Sequence, residues 1–409
     1  MKKIFALTVI AIAASAMDLV SCSKADSNEE KVMIELSTKG KEIAEDGQSF
    51  ASKLLLDLRS SNSYIVSPLS LQMVLSMLLE GAEGESKEEL LSVLNVASSD
   101  VDEVRDYCKK MLEGLASIDR NAANIYISNA SFLLEGLTLS PDYANILNNT
   151  YKTSHYKFSN INDLSAKAKE WAKNKTKGEI ADFKVQPTEY TKMLLLNALY
   201  FNGKWAKKFN PDNSGPEKFT PFDESTIQVT MMKQKGAFSG IELDGFKGVS
   251  LPYGDGAFEM DIYLPDSNEK MDSMLEFFAK WGFPLSNKSG THYEDVDLWI
   301  PKFETRTNLG LNGPLQRLGL EKVFDEKQAD FSGILKDKTN LWIDEIAQSS
   351  VIKVDESGTV AASVSKAKMS GDLKNIPMRM VFHANHPFVY LISETRTGAI
   401  LFAGQYTAK

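Results

Sequence analysis

The sequence predicts an α+β domain with more than one sheet, because helical and extended patterns alternate irregularly along one chain. Apolar residues recur at helical spacing in the first third, over 43–58, 69–78 and 101–115. The extended segments that follow are rich in β-branched and aromatic residues. Strands are predicted at 124–132, 193–201, 258–264, 296–303, 350–354 and 388–393, and further helices at 165–175, 270–281 and 308–318.

The composition is that of a globular protein with a large core. Of 409 residues, 43% are hydrophobic and 25% are charged. The net charge of -9 arises from 55 acidic and 46 basic residues that are interspersed, so the sequence predicts no basic face and no nucleic-acid partner. From about residue 40 onward there is no linker-like stretch and no repeat, which predicts a single domain over 40–409.

The N-terminus has the pattern of a bacterial lipoprotein signal peptide. Lys2 and Lys3 precede an apolar run over 4–16 that is too short to span a bilayer, and small residues then lead to Cys22. This pattern predicts a signal peptide over 1–21 and lipid modification of Cys22.

Residues 22–39 are predicted to form a flexible tether, because the polar and charged run that follows Cys22 has no apolar period. The expected location is that of an exported lipoprotein in the cell envelope or at the cell surface, with the lipid as its only membrane contact. The alternative is a secreted protein without lipid. With Cys22 lipidated, Cys108 has no cysteine partner and no disulfide is predicted.

No enzymatic motif is found. The four histidines form no HExxH pair, and no CxxC, GxSxG, GxxxxGK[ST] or GxGxxG motif occurs. His383 and His386 could share a metal on a helix, but Pro387 and the β-branched run after it predict extended chain, so both are interpreted as structural. The sequence therefore predicts no metal site and no cofactor. The aromatic segment 200–205 is interpreted as core packing at a strand end.

The most unusual segment is 356–373, which follows a predicted strand yet consists mostly of small residues. A flexible linker would contain more Gly and Pro, and a core strand would contain more bulk. If the segment is extended, alternate side chains point to opposite sides. One side then carries mostly small residues, and the other carries both lysines. The first side is Thr359, Ala361, Ser363, Ser365, Ala367, Met369 and Gly371, and the second is Val360, Ala362, Val364, Lys366, Lys368 and Ser370. This pattern predicts an exposed loop that can become a central strand.

Several motifs in a fixed order resemble the serpin family, over about residues 40–409. They are 66–71 (VSPLSL), 197–205 (NALYFNGKW), 300–303 (IPKF), 318–320 (LGL), 330–333 (DFSG), 355–363 and 382–388. The resemblance implies a serpin fold with three β-sheets, eight to nine helices and an exposed reactive-centre loop in a metastable state. We call residues 358–380 the bait loop.

The resemblance also implies roles for particular residues. Insertion of the bait loop would begin at a hinge, and a hydrogen-bonded shutter would let the strands of one sheet part. Glu356 would pair with Lys302 beside Trp205, at the breach where insertion starts. Gln348 stands where the family usually has a shutter histidine, and Val360 replaces a common hinge glutamate. The implied hinge residues are Glu356, Gly358, Thr359, Ala361, Ala362 and Ser363, and the implied shutter and breach residues are Ser67, Ser70, Asn197, Trp205, Lys302 and Gln348.

The position of the cleaved bond is open. Counting from Gly358 by the usual loop length of the family gives Asp372–Leu373. The bonds Lys368–Met369 and Lys374–Asn375 would suit trypsin-like peptidases and remain alternatives.

The function expected from the resemblance is irreversible inhibition of serine endopeptidases, with cysteine peptidases as a second target class. The partner is a target peptidase held in a covalent acyl complex, and the protein is expected to be a monomer and not an enzyme. The alternative is a non-inhibitory serpin that acts as a carrier, chaperone or signalling module. A hydrolase ranks third, since no catalytic cluster is recognised.

Overall fold

The computed structural model describes residues 34–118, 123–181, 183–286, 289–339, 341–358 and 378–409. The predicted signal peptide and Cys22 lie outside these residues. The described chain is folded from its start, since Ile34 is buried and the first helix begins at Thr38. Ile34 also packs tightly against Gly114, so residues before position 40 contribute to the core.

The described residues contain eight α-helices, within the predicted number. Most of them lie in the first half of the chain, as the apolar periodicity predicts. They are α1 (Thr38–Leu58), α2 (Pro68–Leu79), α3 (Gly84–Leu94), α4 (Val101–Ser117), α5 (Pro141–Asn149), α6 (Ile161–Lys175), α7 (Met271–Trp281) and α8 (Asn312–Arg317).

The described strands form three sheets, which confirms the predicted α+β class. The strands are β1 (Tyr64–Val66), β2 (Ala123–Leu134), β3 (Ser154–Phe158), β4 (Met193–Gly203), β5 (Gly215–Phe219), β6 (Ile227–Leu243), β7 (Phe246–Tyr253), β8 (Phe258–Pro265), β9 (Thr291–Pro301), β10 (Phe303–Gly310), β11 (Ala347–Val354), β12 (Arg379–His383), β13 (Phe388–Glu394) and β14 (Ile400–Tyr406).

The largest sheet has nine strands in the order β1-β14-β13-β8-β7-β6-β9-β12, with β5 also paired to β6. The second sheet has the order β3-β2-β4, and the third consists of β10 and β11. In the second sheet β2 and β4 are antiparallel and in register from Ala123 and Gly203 to Leu133 and Met193. The strands β4 and β11 therefore belong to different sheets and do not pair with each other.

Helix α2 lies in the centre of the core, in contact with β4 and β14. Eleven of its twelve residues are buried. It begins where the sequence provides two start signals: Pro68 at the first helical position and the Ser67 hydroxyl, which accepts a hydrogen bond from the Ser70 amide. Ser67 and Ser70 are thus fixed at the buried start of α2.

Helix α6 covers the outer face of the β3-β2-β4 sheet. Leu164, Ala168 and Trp171 pack there against Phe132 and Leu196. The Trp171 and Phe132 rings meet edge to face, with centroids 6.4 Å apart. This packing makes α6 and the sheet one unit.

Two predicted elements differ from the structure. The predicted helix over 308–318 is strand up to Gly310 and helix only from Asn312, because β10 pairs with β11 as far as Ala347. The predicted strand over 296–303 is interrupted at Lys302, because β9 ends at Pro301 and β10 begins at Phe303. The Lys302 amide donates a hydrogen bond to the Thr230 carbonyl of the nine-stranded sheet.

The extended conformation predicted around His383 is confirmed, since it lies in β12 with its ring stacked on Trp299. The segment 200–205 is packed as predicted: the Trp205 and Tyr253 rings stack with centroids 4.4 Å apart. Within the described residues, no helix combines the length and apolarity needed to cross a bilayer, and no His, Cys, Asp and Glu cluster could hold a metal.

Asp261 of β8 is a fully buried carboxyl group that accepts hydrogen bonds from the hydroxyls of Ser250 and Ser286. Burial, with a further contribution from Glu259, raises the pKa of Asp261 to about 7. Between about pH 4 and pH 7 the folded protein therefore keeps a proton on Asp261. The unfolded chain, in which the Asp pKa is near 3.9, has already released that proton.

We expect this group to lower stability as pH rises from about 4 to about 7, by about 2 kcal/mol between pH 5 and pH 7. Urea unfolding midpoints at a series of pH values test this expectation. Asp261→Asn should flatten the profile, whereas Asp244→Asn, at an exposed position, should leave it unchanged. An unchanged profile in Asp261→Asn would contradict the assignment.

Candidate functional site at the base of the bait loop

The structure describes the two ends of the bait loop but not residues 359–377. Gly358 is the last described residue before this segment, and Met378 is the first after it. Thr359, Ala361, Ala362 and Ser363 therefore remain predictions, as do all three candidate cleavage sites. The strand β12 begins at Arg379, inside the predicted C-terminal end of the loop.

The segment that leads into the bait loop is fixed against the end of β4. The Trp205 indole Nε1 donates to the Asp355 carbonyl at 2.8 Å, and the Trp205 amide donates to the Ser357 carbonyl at 3.2 Å. The Phe209 amide donates to the Glu356 carbonyl at 3.0 Å. The loop thus leaves the domain beside the C-terminal ends of both β4 and β11, which we call the loop end of the two strands.

Gly358 requires glycine for two reasons. Its φ of +77° lies in the left-handed region, which residues with a Cβ rarely adopt. A Cβ at this position would lie 2.2 Å from the Trp205 nitrogen and 2.8 Å from the Gly203 oxygen. Gly358 is therefore in direct backbone contact with the end of β4.

The ion pair implied between Lys302 and Glu356 is present, with 2.9 Å between Lys302 Nζ and Glu356 Oε2. Burial disfavours the Glu356 carboxylate, but the hydrogen bond from Lys302 and its other donors outweigh burial and hold the pKa of Glu356 below its usual range. The same bond raises the pKa of Lys302.

This pair should stabilise the native state above the ordinary glutamate pKa, about 4.3, and the contribution should be lost as pH falls through the lower folded value. Because the Lys302 side chain is 48% exposed, we expect Glu356→Gln to cost at most about 1 kcal/mol at pH 7. Urea midpoints of the variant and wild type should converge in acid. A difference that does not shrink as the pH is lowered below about 4.3 would contradict the ionic origin.

The structure brings three of the implied shutter residues together. The Gln348 side chain accepts from the Ser67 amide at 2.5 Å and donates to the Ser67 carbonyl at 3.0 Å. The Ser67 hydroxyl in turn donates to the Ser70 hydroxyl at 2.9 Å. Gln348 therefore ties β11 to the start of α2.

Asn197 does not join this group. Its Nδ2 donates to Asn129 Oδ1 of β2 at 2.7 Å, and Asn129 donates to the Tyr151 carbonyl at 2.7 Å. The Asn197 Oδ1 atom is buried without a hydrogen-bond partner. Sequence reasoning missed Asn129, although an Asn within a predicted buried strand is a signal of a polar network.

An open groove lies between β4 and β11, with about 1230 Å³ of space not occupied by atoms, part of which is open solvent. It is lined by Leu71 and Val74 of α2, Leu195 and Asn197 of β4, and Gln348 of β11. Leu71, Val74 and Leu78 make most of its α2 side apolar.

The domain thus combines a separation between two parallel strands with the base of the bait loop at one end of it. The family model Serpin (serine protease inhibitor) matches residues 45–408. The chain belongs to the serpin family, and the family implies peptidases as partners.

Individual relatives agree with this assignment. The chain is 29% identical over 372 residues to an uncharacterized serpin-like protein of Methanosarcina acetivorans, covering 89% of this chain and 85% of the relative. It is 28% identical over 376 residues to a leukocyte elastase inhibitor of Xenopus laevis, covering 87% and 96%. The native crystal structure of tengpin, a thermophilic serpin, is similar in fold, with a TM-score of 0.80 at 23% identity over 91% of this chain and 95% of tengpin.

Proposed function

We propose that the protein is an irreversible inhibitor of serine endopeptidases that acts by inserting its cleaved bait loop between β4 and β11. The observation that carries this proposal is the position of Gly358. It is in backbone contact with β4 at the loop end of β4 and β11, two strands that do not pair with each other. The base of the bait loop thus lies beside the separation that the inserted strand would enter. The small side chains on one face of 359–371 fit the apolar groove.

The chemistry is supplied by the target peptidase. Its serine hydroxyl attacks the carbonyl carbon of the cleaved bond, the C–N bond breaks, and the new amine takes the proton and departs with the C-terminal segment. An ester then joins the peptidase to the free end of the inserting segment. Insertion traps the complex if it is faster than attack of water on the ester. A cysteine peptidase would form the corresponding thioester.

Strand geometry gives the scale of the movement. Fourteen inserted residues at roughly 3.3 Å each would carry the peptidase about 46 Å from the loop end. New ladder hydrogen bonds at roughly 1 kcal/mol each and newly buried side chains could supply on the order of 10 kcal/mol. Serpin loop insertion is an established case of strand addition. The native state is then maintained by a kinetic barrier.

The proposal is tested by incubating the protein with trypsin-, elastase- and subtilisin-like peptidases, followed by denaturing electrophoresis. We expect a band at the summed mass of both proteins, less the released C-terminal fragment. N-terminal sequencing of that fragment identifies the bond, with Met369, Leu373 or Asn375 as the expected first residue. Loop cleavage without any such band, with every peptidase, would refute the inhibitor function and favour the non-inhibitory alternative.

We further propose that the protein is an exported monomer attached to the membrane through Cys22. Eleven residues lie between Cys22 and Ile34, the first described residue, which is buried. The chain from Cys22 to Ile34 could therefore span at most about 40 Å. Cys22→Ser should move the protein from the membrane fraction to the soluble fraction after cell lysis. A variant that still sediments with membranes would contradict lipidation at this residue.

A further inference from the structure

The nine-stranded sheet ends at β12, whose only strand partner among the described residues is β9. The strand is short, Arg379–His383, and begins at the C-terminal end of the bait loop. It runs parallel to β9 and is in register with it over its whole length. We call the side of β12 that faces away from β9 the free edge.

Hydrogen bonds at both ends of β12 show which of its backbone groups point to β9. The Met378 carbonyl, just before the strand, accepts from the Glu294 amide at 3.1 Å, and the Ala384 amide, just after it, donates to the Trp299 carbonyl at 2.9 Å. Neighbouring residues of a strand direct their amide and carbonyl groups to opposite sides. The even-numbered residues of β12 therefore face β9. The residues whose backbone groups face the free edge are Arg379, Val381 and His383.

A lysine side chain closes the middle of the free edge. Lys247 of β7 donates from its Nζ to the Val381 carbonyl at 2.6 Å. Because β7 and β12 are not neighbours in the sheet, this contact depends on the reach of the lysine side chain and not on strand pairing. At the end of β12 the Asn385 amide donates to the His383 carbonyl at 2.8 Å. Two of the three edge-facing carbonyls thus have partners outside the strand ladder.

The side chains of this region would favour the addition of another strand. Val381 is 54% exposed and Met378 is 52% exposed. The charge of Arg379 is balanced by its register partner Asp295, with 3.2 Å between Nε and Oδ2. A strand edge with exposed apolar side chains and little net charge is a template for pairing with another chain. Lys247 is the added feature that opposes such pairing.

A second copy of this chain offers a matching strand. Two β12 strands can pair antiparallel about a two-fold axis at Val381, so that the two copies of Val381 face each other and exchange amide-to-carbonyl hydrogen bonds. In the structure each of these carbonyls already accepts from Lys247. The dimer can therefore form only at the expense of both lysine contacts.

We propose that Lys247 is an edge guard, which keeps the chain monomeric by closing the free edge of β12 against a second copy. Lysine suits this role because its charge is costly to bury between two strands. The guard also keeps the bait loop accessible. In the dimer the C-terminal ends of two bait loops would lie roughly 17 Å apart, the length of five strand residues, and a peptidase on one loop would collide with the second copy. This last consequence rests on the proposed function, whereas the guard itself does not.

Sedimentation velocity of the purified full chain over a range of concentrations tests the guard without any peptidase. Every protein carries Cys22→Ser, so that a lipid cannot drive association. Lys247→Ala should lower the concentration of half-dimerisation at least about 30-fold, because two hydrogen bonds that each contribute roughly a factor of five no longer compete with pairing. Lys235→Ala is the matched control. Lys235 lies in β6 of the same sheet and is 71% exposed, so its loss removes the same charge and leaves the free edge closed.

Two further substitutions in the Lys247→Ala chain locate the contact. Val381→Pro removes the edge-facing amide but no hydrogen bond to β9, and edge strands tolerate proline at such positions. Val381→Glu places two carboxylates opposite each other at the two-fold axis, where like charges oppose pairing. Each should restore the monomer, and the glutamate variant decides the test if the proline variant unfolds.

Three results would overturn the guard: a Lys247→Ala protein that stays monomeric at every concentration, equal association in Lys235→Ala, and a dimer that survives Val381→Glu. None of these measurements involves loop cleavage or a covalent complex. Failure of the guard is therefore distinguishable from failure of the proposed inhibitory function.

Discussion

Replacing Thr359 by arginine should convert the protein from an inhibitor into a substrate. Thr359 follows Gly358, whose backbone contacts β4, and the period-two pattern places it on the side that faces the core after insertion. Burying an unpaired guanidinium there costs several kcal/mol. We expect insertion to slow by at least about 100-fold, so that hydrolysis of the ester releases active peptidase and the cleaved inhibitor.

The matched control is Val360→Arg, at the adjacent position on the outward side. It introduces the same charge and bulk, but the side chain should remain in solvent, so most of the covalent complex should persist. Gel densitometry of complex against cleaved protein measures both variants. Equal loss of the complex in the two variants, or its retention in Thr359→Arg, would show that the inward face has been assigned wrongly.

Arg105→Ala should destabilise the domain by about 3–5 kcal/mol, the cost of leaving a buried charge without its partner. The Glu80 side chain is 1% exposed at the end of α2, and Arg105 of α4 binds both of its carboxylate oxygens, at 2.9 Å, 3.0 Å and 2.6 Å. Tyr151 donates to the same carboxylate at 3.1 Å but carries no compensating charge.

The comparison variant is Asp102→Ala, which removes the other carboxylate that contacts Arg105. The Asp102 side chain is 88% exposed, so its loss should cost no more than about 1 kcal/mol. Urea midpoints of both variants at neutral pH measure the difference. If the two substitutions had equal effects, the buried pair would not contribute the stability inferred from its geometry.

The fold class and the long helices could be predicted from periodicity, because α1, α4 and α7 each bury one apolar face and α2 is rich in apolar residues and buried almost throughout. Periodicity did not predict β6 as a strand. β6 has 17 residues and pairs with β9 and then, near its C-terminal end, with β7. Lys233, Gln234 and Lys235 interrupt its apolar pattern. Such a strand is specified by its neighbours in the sheet more than by its own sequence.

The candidate site was predictable only in part. The ion pair of Lys302 and Glu356 followed from the resemblance to the family, whereas the exact partners of Gln348 and Asn197 did not. A glutamine amide can donate and accept toward any nearby polar group, and only the structure shows that Gln348 binds both backbone groups of Ser67. The contacts of Glu179 with Arg306 and Lys353 join residues more than 100 positions apart, and no local pattern predicts them.

The central claim is that the cleaved bait loop becomes a strand between β4 and β11. It is tested most directly by the thermal unfolding midpoint of the protein before and after a single cut in the loop. Cutting a chain ordinarily leaves stability unchanged or lowers it. Here a gain on the order of 10 kcal/mol from the inserted strand should raise the midpoint by at least about 10 °C. An unchanged or lower midpoint after complete cleavage would contradict insertion.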